Sequence, residues 1–416
     1  MRASILAIGD EIVSGLTLDT NSAWLAERLR EVGVEVVGIL AVGDDDDAIA
    51  RALRRGLEDG DVVITTGGLG PTGDDRTAAC VARVAERPLR RSAAALETIR
   101  ERFRVRGREM SPSNEKQADF PEGSTVVPNT TGTAAGFVCP VGSEGQRIIS
   151  LPGVPGEMRR MAEETVIPLL AQEAGGRKFV SRTFSTFGLP ESRLGELLED
   201  VLGDSPGRLS FRAAFPLIQA RVTLEGPVGS GVRPRLDDIE RRVQERLGHY
   251  LYAVGDEGME ETVGRLLTKA GATLAVAESC TGGLIGHRLT DVPGSSAYFH
   301  LGITAYHNDA KVRLLGVPEE TLATHGAVST QVAAAMARGV RERGETDIGL
   351  SVTGIAGPGG GSAEKPVGTV CIGLASGESL WSRRYVLGDA GRERVKTWSA
   401  QIALNRVRLH LLNVPS

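Results

Sequence analysis

The regular alternation of apolar strands and amphipathic helices near the start of the chain is the feature that most constrains its fold. Strand-like runs at residues 4–8, 34–42 and 62–66 alternate with helical patterns at 21–32 and 46–57. Successive parallel strands need a crossover of this kind, and such crossovers are right-handed. The order therefore predicts an α/β domain with a parallel sheet, whose ligands bind at the carboxyl ends of the strands.

The third of these strands runs into a glycine-rich loop, GGLGPTGDD, at residues 67–75. A loop of this kind exposes backbone N–H groups that can bind a phosphate. The segment SNEKQA adds an amide donor and a positive charge. The loop matches neither the P-loop nor the full dinucleotide-binding pattern, so an ATPase or a dehydrogenase is disfavoured. The predicted phosphate-binding residues are Gly67, Gly68, Gly70, Asn114 and Lys116.

Acidic residues at the same predicted sheet edge indicate a site for a divalent cation. Asp74 and Asp75 end the glycine-rich loop, and Asp10 and Glu11 follow the first strand. Because Mg²⁺ prefers carboxylate oxygens and water, these side chains could hold a cation that bridges to a bound phosphate. The alternative for Asp74 and Asp75 is capping of the helix that follows.

The last third of the chain predicts a second α/β segment whose turns carry small hydroxyl residues. AESCTGG follows a strand at 273–277, GSSAYF precedes a strand at 301–306, and TGIAGPGGG follows a strand at 348–352. Because two of these turns follow strands directly, we expect all three to line one pocket. The predicted pocket residues are Ser279, Thr281, Gly282, Gly283, Ser295 and Gly354.

A serine, a tyrosine and a lysine in this segment form a candidate acyl-transfer set. Tyr306 and Lys311 follow Ser296 at offsets of 10 and 15. Serine is a poor nucleophile until a base takes its proton, and a lysine can be that base when desolvation lowers its pKa. The set therefore predicts a site that opens amides. The alternative is that Gly and Ser only form turns, that Tyr306 packs in a strand, and that Cys280 is a small buried turn residue.

Between these segments, residues 179–252 predict a small α+β module. Glycines at 175–176 and 255–258 bound it. The predicted domains are 1–174, 175–256 and 257–416.

Composition excludes several classes of protein. The net charge is −5 and no basic stripe is present, so direct nucleic-acid binding is not expected. The four cysteines have no paired, metal-like spacing, which favours a reduced compartment. No apolar run reaches the ~18 residues of a membrane span. We therefore expect a cytoplasmic protein without a membrane partner.

With these motifs assembled, the chain resembles the CinA (competence/damage-inducible protein A) family. The first domain is similar to molybdopterin-binding domains through GDEI, TTGGLGPTGDD, NEKQA and LPGVPGEM. The third is similar to nicotinamide mononucleotide deamidase domains through AESCTGG, GSSAYF, TAYHNDAK, HGAVS and TGIAGPGGGSAEKPVGTV. The middle module fits the family's KH-like connecting domain, although it has no GxxG loop between helices.

The resemblance implies two hydrolytic activities. The third domain would hydrolyse nicotinamide mononucleotide to nicotinic acid mononucleotide and ammonia, with Ser296 as nucleophile and Tyr306 and Lys311 activating it. Thr353 and loop N–H groups would stabilise the oxyanion. The first domain would hydrolyse ADP-ribose with a divalent cation such as Mg²⁺; the alternative is a module that binds a nucleotide or molybdopterin without cleaving it. The family also implies a homodimer.

Overall fold

The computed structural model describes residues 1–143, 145–174, 177–227 and 231–414. The predicted boundary glycines, Gly175 and Gly176, lie outside these residues. The chain divides into two compact units, the first comprising Met1–Val180 and Leu224–Arg233 and the second Ser181–Thr223 and Pro234–Ser416.

The described residues up to 174 form an α/β arrangement, the fold class that the sequence predicts. Its elements are β1 Arg2–Ile8, α1 Asp10–Val13, α2 Thr20–Glu31, β2 Glu35–Val42, α3 Asp46–Asp59, β3 Val62–Thr66, α4 Thr77–Val84, β4 Leu89–Arg91, α5 Ala93–Val105, β5 Asp119–Pro121, β6 Thr125–Val127, β7 Gly136–Val141, β8 Gln146–Leu151, α6 Pro155–Met161 and α7 Ile167–Glu173. The main sheet has the order β2-β1-β3-β8-β7-β6. Its first four strands are parallel, as expected, and β7 and β6 extend it in antiparallel fashion.

Helices cover both faces of this sheet because side chains alternate along each strand. Ala3 and Ile5 of β1 pack in one apolar cluster with helices α2 and α6. Leu6 and Ile8 point the other way and pack against α3 and α4. The two cores leave the carboxyl ends of β1, β3 and β8 at one edge of the sheet.

The rest of the chain forms a four-stranded sheet followed by a five-stranded one. The elements are β9 Arg177–Thr186, α8 Glu191–Leu198, β10 Gly207–Ala214, β11 Leu217–Pro227, α9 Val232–Leu247, β12 Leu251–Val254, α10 Met259–Ala270, β13 Leu274–Glu278, α11 Leu284–Thr290, β14 Phe299–Thr304, α12 Asn308–Leu315, α13 Glu319–His325, α14 Thr330–Gly344, β15 Ile348–Gly354, β16 Thr369–Ser376, β17 Ser379–Val386 and α15 Arg392–Leu411. The smaller sheet, in the order β10-β11-β9-β12, corresponds to the predicted α+β module. No described helix is both long and apolar enough to cross a membrane.

The five-stranded sheet has the order β14-β13-β15-β16-β17. Strand β13 lies between β14 and β15 and is parallel to both, whereas β15, β16 and β17 run antiparallel. Val276 packs on the face covered by α10 and α15, and Ala277 packs on the face covered by α14. The carboxyl ends of β13, β14 and β15 therefore lie side by side.

Strand β14 begins and ends two residues earlier than the sequence predicts, at Phe299–Thr304 rather than 301–306. Ser296 lies in a 3₁₀ turn, Ser295–Ala297, just before the strand. Tyr306 follows the strand's carboxyl end. The serine and the tyrosine are therefore at opposite ends of one extended segment.

Candidate functional site

A cavity of about 280 Å³ lies at the carboxyl ends of β13, β14 and β15. Its lining residues are Ser279, Cys280, Tyr306, Asn308, Lys311, Ala327, Val328, Thr353, Gly354, Ile355, Ala356, Gly357, Gly359, Gly360 and Arg392. Two of these side chains, Lys311 and Arg392, are basic, and no lining residue is Asp or Glu. The charge of the cavity suits an anionic ligand, and its size is near the lower end of the range for small-molecule sites.

Lys311 is the most buried charged group at this cavity. It lies in the first turn of α12, is 1% exposed, and donates a hydrogen bond from Nζ to the Tyr306 carbonyl oxygen at 3.0 Å. Within the described part of the chain it forms no ion pair. Burial lowers the pKa of the Lys311 amine, and the nearby Cys280 opposes this shift only in part. A lysine in this state is suited to accept a proton.

Arg392 holds the Tyr306 side chain at the mouth of the cavity. Its guanidinium donates to the Tyr306 phenol oxygen at 2.6 Å and to the Gly357 carbonyl oxygen at 2.8 Å. The Tyr306 side chain is otherwise exposed. The first turn of α15 is thus joined to the strand-end residue and to the glycine-rich loop after β15.

The turn after β13 is held by the buried carboxylate of Glu278. This side chain, 3% exposed, accepts hydrogen bonds from the N–H groups of Gly283, Ile285 and Gly286 at 2.9–3.1 Å. Gly282 and Gly283 have φ values of 65° and 94°, which favour glycine. The turn therefore serves to present Ser279 to the cavity.

Several predicted site residues lie outside the cavity, or their N–H groups are bonded within the protein. The N–H of Gly282 donates to the Ser279 carbonyl oxygen, and that of Gly283 donates to Glu278, so neither is available to an oxyanion. Thr281 is fully buried and is not among the lining residues. Ser295 and Ser296 lie before β14, away from the cavity.

The hydroxyl of Thr353 faces a protein acceptor rather than a ligand. Thr353 lines the cavity, but its Oγ1 donates to the Ala327 carbonyl oxygen at 2.8 Å. The predicted role as an oxyanion donor is therefore not supported by this arrangement. Ala356 and Gly357 also line the cavity, and their N–H groups have no partner among the described residues. Gly354 lines it as predicted, and burial raises the pKa of the adjacent Cys280 thiol to about 12, which keeps that thiol protonated.

In the first unit, the predicted phosphate loop is tightly packed against its neighbours. A Cβ at Gly67 would lie 2.1 Å from the Ile8 carbonyl oxygen, and one at Gly68 would lie 2.3 Å from Thr77 Oγ1. The N–H of Gly67 donates to Leu151, at the end of β8. These glycines therefore permit close approach of the loop to β1 and α4.

Asp75 closes this loop and is not free to bind a cation in the observed arrangement. Its carboxylate accepts from the N–H groups of Gly70 and Thr72 at 2.7 and 2.8 Å, and from the Thr72 hydroxyl. Lys116 Nζ donates to the carbonyl oxygens of Thr72 and Asp75, and the Asn114 amide donates to Gln117. Gly70, Lys116 and Asn114 thus all stabilise the loop and its surroundings.

Other acidic residues of the first unit lie close together near the carboxyl ends of β1 and β2. The carboxylates of Asp10 and Asp44 each accept the other's backbone N–H, at 3.0 and 3.1 Å. Burial raises the pKa of Asp44, the Asp10 N–H opposes the rise, and neighbouring negative charges add to it. Those charges belong to Asp10, Glu11 and Asp74. Among the described residues, however, no three His, Cys, Asp or Glu side chains are grouped to hold a metal ion, so the cation stays a prediction.

Sequence reasoning missed five residues of these two sites. Glu278 lies inside the AESCTGG motif, so this motif could have identified it as a site residue. Asn308 and Asp44 lie beside predicted residues, and Arg392 is 86 residues from the tyrosine it contacts. Asn21, in the first turn of α2, is buried and donates to Thr66 and Gly153, beside the ends of β3 and β8.

Comparison with known proteins assigns each region to a family. The models that match are "Probable molybdopterin binding domain" over 4–172, "Damage-inducible protein CinA KH domain" over 181–253 and "CinA C-terminal domain" over 256–411. A CinA-like protein of Geobacter metallireducens is 45% identical over 416 residues, which cover 99% of this chain and 100% of that protein. A CinA-like protein of Syntrophus aciditrophicus is 43% identical over 414 residues, which cover 99% and 98%.

Among solved structures, competence/damage inducible protein CihA from Agrobacterium tumefaciens is 42% identical. It covers 38% of this chain and 97% of its own, with a TM-score of 0.36. The sequence matches define an α/β protein with molybdopterin-binding-like, KH-like and CinA C-terminal domains. The chain belongs to the CinA family.

Proposed function

We propose that the cavity of the second unit hydrolyses the carboxamide of nicotinamide mononucleotide, giving nicotinic acid mononucleotide and ammonia. The observation that carries this proposal is the buried amine of Lys311, which faces the cavity and lacks an ion-pair partner in the described residues. A neutral amine in a cavity is a general base for a serine nucleophile. The positive charge of Arg392 suits the phosphate of the substrate.

The reaction proceeds in two steps. In the first, a serine Oγ bonds to the carboxamide carbon while its proton passes to Lys311 Nζ. The C–N bond then breaks, and the leaving nitrogen takes that proton and departs as ammonia. In the second step, water hydrolyses the acyl-serine ester, which releases the carboxylate product and restores the hydroxyl.

The other residues have the following roles in this proposal. Ser296 is the nucleophile, and Ser279 binds the substrate from the turn after β13. We assign stabilisation of the developing oxyanion to the N–H groups of Ala356 and Gly357, since preorganised donors act strongly in a desolvated site. Tyr306, held by Arg392, assists proton transfer beside Lys311.

Incubation of the full chain with nicotinamide mononucleotide, in the presence of a metal chelator, tests this function. We expect stoichiometric ammonia and nicotinic acid mononucleotide, resolved by chromatography. The rate should rise with pH through the lowered pKa of Lys311, because only the neutral amine accepts the serine proton. Absence of ammonia from a folded sample would overturn the proposal.

We further propose that the first unit binds ADP-ribose and hydrolyses its diphosphate with a divalent cation. The supporting observation is Asp44, whose pKa is raised by burial and by adjacent carboxylates whose repulsion a cation would relieve. The observed carboxylates are not gathered as a ligand set, so the arrangement does not by itself assign a catalytic step to a cation. Turnover of ADP-ribose with and without Mg²⁺ separates hydrolysis from binding alone.

A further inference from the structure

Within one chain, the proposed nucleophile and the proposed base lie at opposite ends of β14. Ser296 lies just before β14, whereas Tyr306 follows the strand's carboxyl end and contacts Lys311. A six-residue strand spans about 17 Å. A serine must lie within about 3 Å of its base, or one water away, to transfer a proton.

The outer edge of β14 is open in the described part of the chain. The sheet order places β14 at the end of the sheet, paired on one side only, with β13. His300, Gly302 and Thr304, which share one face of this strand, are exposed. An edge strand presents unpaired N–H and C=O groups that can pair with another strand.

We propose that two copies of this chain pair antiparallel along β14, so that Ser296 of the partner subunit completes the amidase site beside Tyr306 and Lys311. Antiparallel pairing sets the amino end of one strand beside the carboxyl end of the other. Leu301 is midway between residues 296 and 306, so a two-fold axis near Leu301 sets the two residues opposite each other. Adjacent strands lie about 4.8 Å apart, which closes the gap that one chain leaves.

The local structure around Ser296 agrees with a role outside its own subunit. Ser296 is exposed, and its hydroxyl has no hydrogen-bond partner among the described residues. The preceding Gly294 has φ 82°, which turns the chain sharply before the strand. The covalent step is the one given above, with the Oγ proton of Ser296 of the partner subunit passing to Lys311 Nζ. The inference rests on the proposed deamidation.

Mixed dimers test this arrangement. Chains carrying Ser296→Ala and Lys311→Met are co-expressed with different tags, and the mixed species is purified by both tags and assayed with nicotinamide mononucleotide. Each homodimer should be inactive. The mixed dimer should recover about half of the wild-type rate, because one of its two sites then has both residues intact. If Lys311→Met does not fold, Tyr306→Phe, at an exposed position, replaces it.

The reciprocal mixture is the matched control. A chain with both Ser296→Ala and Lys311→Met, paired with wild type, should give an inactive mixed dimer. If Ser296 acts within its own chain, this dimer keeps about half of the rate and the first mixture stays inactive. An active control dimer or an inactive first mixture would overturn the inference while leaving the deamidase function standing. So would an active Ser296→Ala homodimer, or activity in a sample that light scattering shows to be monomeric.

A cross-link measures the same geometry without activity. All four native cysteines are buried, so we expect only engineered surface thiols to form disulfide-linked dimers, which a non-reducing gel detects. A chain with Ser296→Cys and Tyr306→Cys should form covalent dimers under mild oxidation, and either single variant should not. Monomers only, from the folded double variant, would contradict the pairing even if nicotinamide mononucleotide proves not to be the substrate.

Discussion

Both units place a glycine-rich turn after a parallel strand, and in both a carboxylate from the motif holds that turn. Glu278 accepts three N–H groups in the second unit, and Asp75 accepts two in the first. The difference is in what remains at the surface of each site. The second unit presents a serine and a desolvated lysine, whereas the first presents acidic side chains. A glycine-rich turn therefore identifies the place of a site, and the side chains beyond it decide its chemistry.

The opposite charges of the two sites lead to different requirements for catalysis. The cavity of the second unit can attract a phosphate directly through the guanidinium of Arg392. The carboxylates of Asp10 and Asp44 repel a diphosphate unless a bound cation neutralises their charge. We therefore expect deamidation to be independent of metal and ADP-ribose hydrolysis to depend on it.

Removal of the proposed nucleophile should have the largest effect on the second unit. Ser296→Ala should lower kcat for deamidation by roughly 10³-fold or more, since a covalent nucleophile is lost. Because Ser296 is exposed, the variant should fold normally, which circular dichroism checks. Near-normal turnover would instead point to Ser279, the serine that lines the cavity within the same chain.

Chelation should separate the two units. Excess EDTA is expected to abolish ADP-ribose hydrolysis and leave ammonia release from nicotinamide mononucleotide unchanged. We expect ADP-ribose hydrolysis to be lost because the site in the first unit is acidic. We expect ammonia release to be unchanged because the lysine–serine mechanism needs no metal. Equal inhibition of both reactions would contradict the comparison, and ADP-ribose that stays intact with every divalent metal would show a binding module.

The two turn-holding carboxylates offer a matched pair of smaller changes. Glu278→Gln turns an amide toward N–H donors, and the lost charged hydrogen bonds should cost about 2 kcal/mol of unfolding free energy. We expect about a 10-fold loss of deamidation, because that cost loosens the turn carrying Ser279. Asp75→Asn should lower only ADP-ribose turnover. If each variant lowered both reactions equally, neither turn would act only on the site of its own unit.

The smallest expected effect is at Cys280. Its thiol lines the cavity, but a pKa of about 12 keeps it protonated near neutral pH. Cys280→Ser should therefore change the deamidation rate by less than about 10-fold. Iodoacetamide should likewise leave the native enzyme active. Loss of activity comparable to that of Ser296→Ala would make Cys280 the nucleophile.

The sequence predicted the elements well and the contacts between them poorly. The strands predicted at 62–66 and 348–352 agree with β3 and β15, because strand patterns are local. The spacing of Ser296 and Tyr306 predicts that the two residues share one site. In the structure a strand separates them, and an offset of 10 residues alone does not show this. The contact of Arg392 with Tyr306 depends on tertiary packing of α15, which no local pattern encodes.

The central claim, that a desolvated lysine amine drives deamidation, is tested most directly by Lys311→Arg. The rate of ammonia release from nicotinamide mononucleotide is measured against pH for the wild type and this variant. The wild-type rate should climb as pH rises through the lowered pKa of Lys311, below the range of an ordinary lysine. Lys311→Arg keeps the charge but cannot readily lose a proton, so it should be inactive at every pH. An active Lys311→Arg enzyme with an unchanged pH profile would contradict the account.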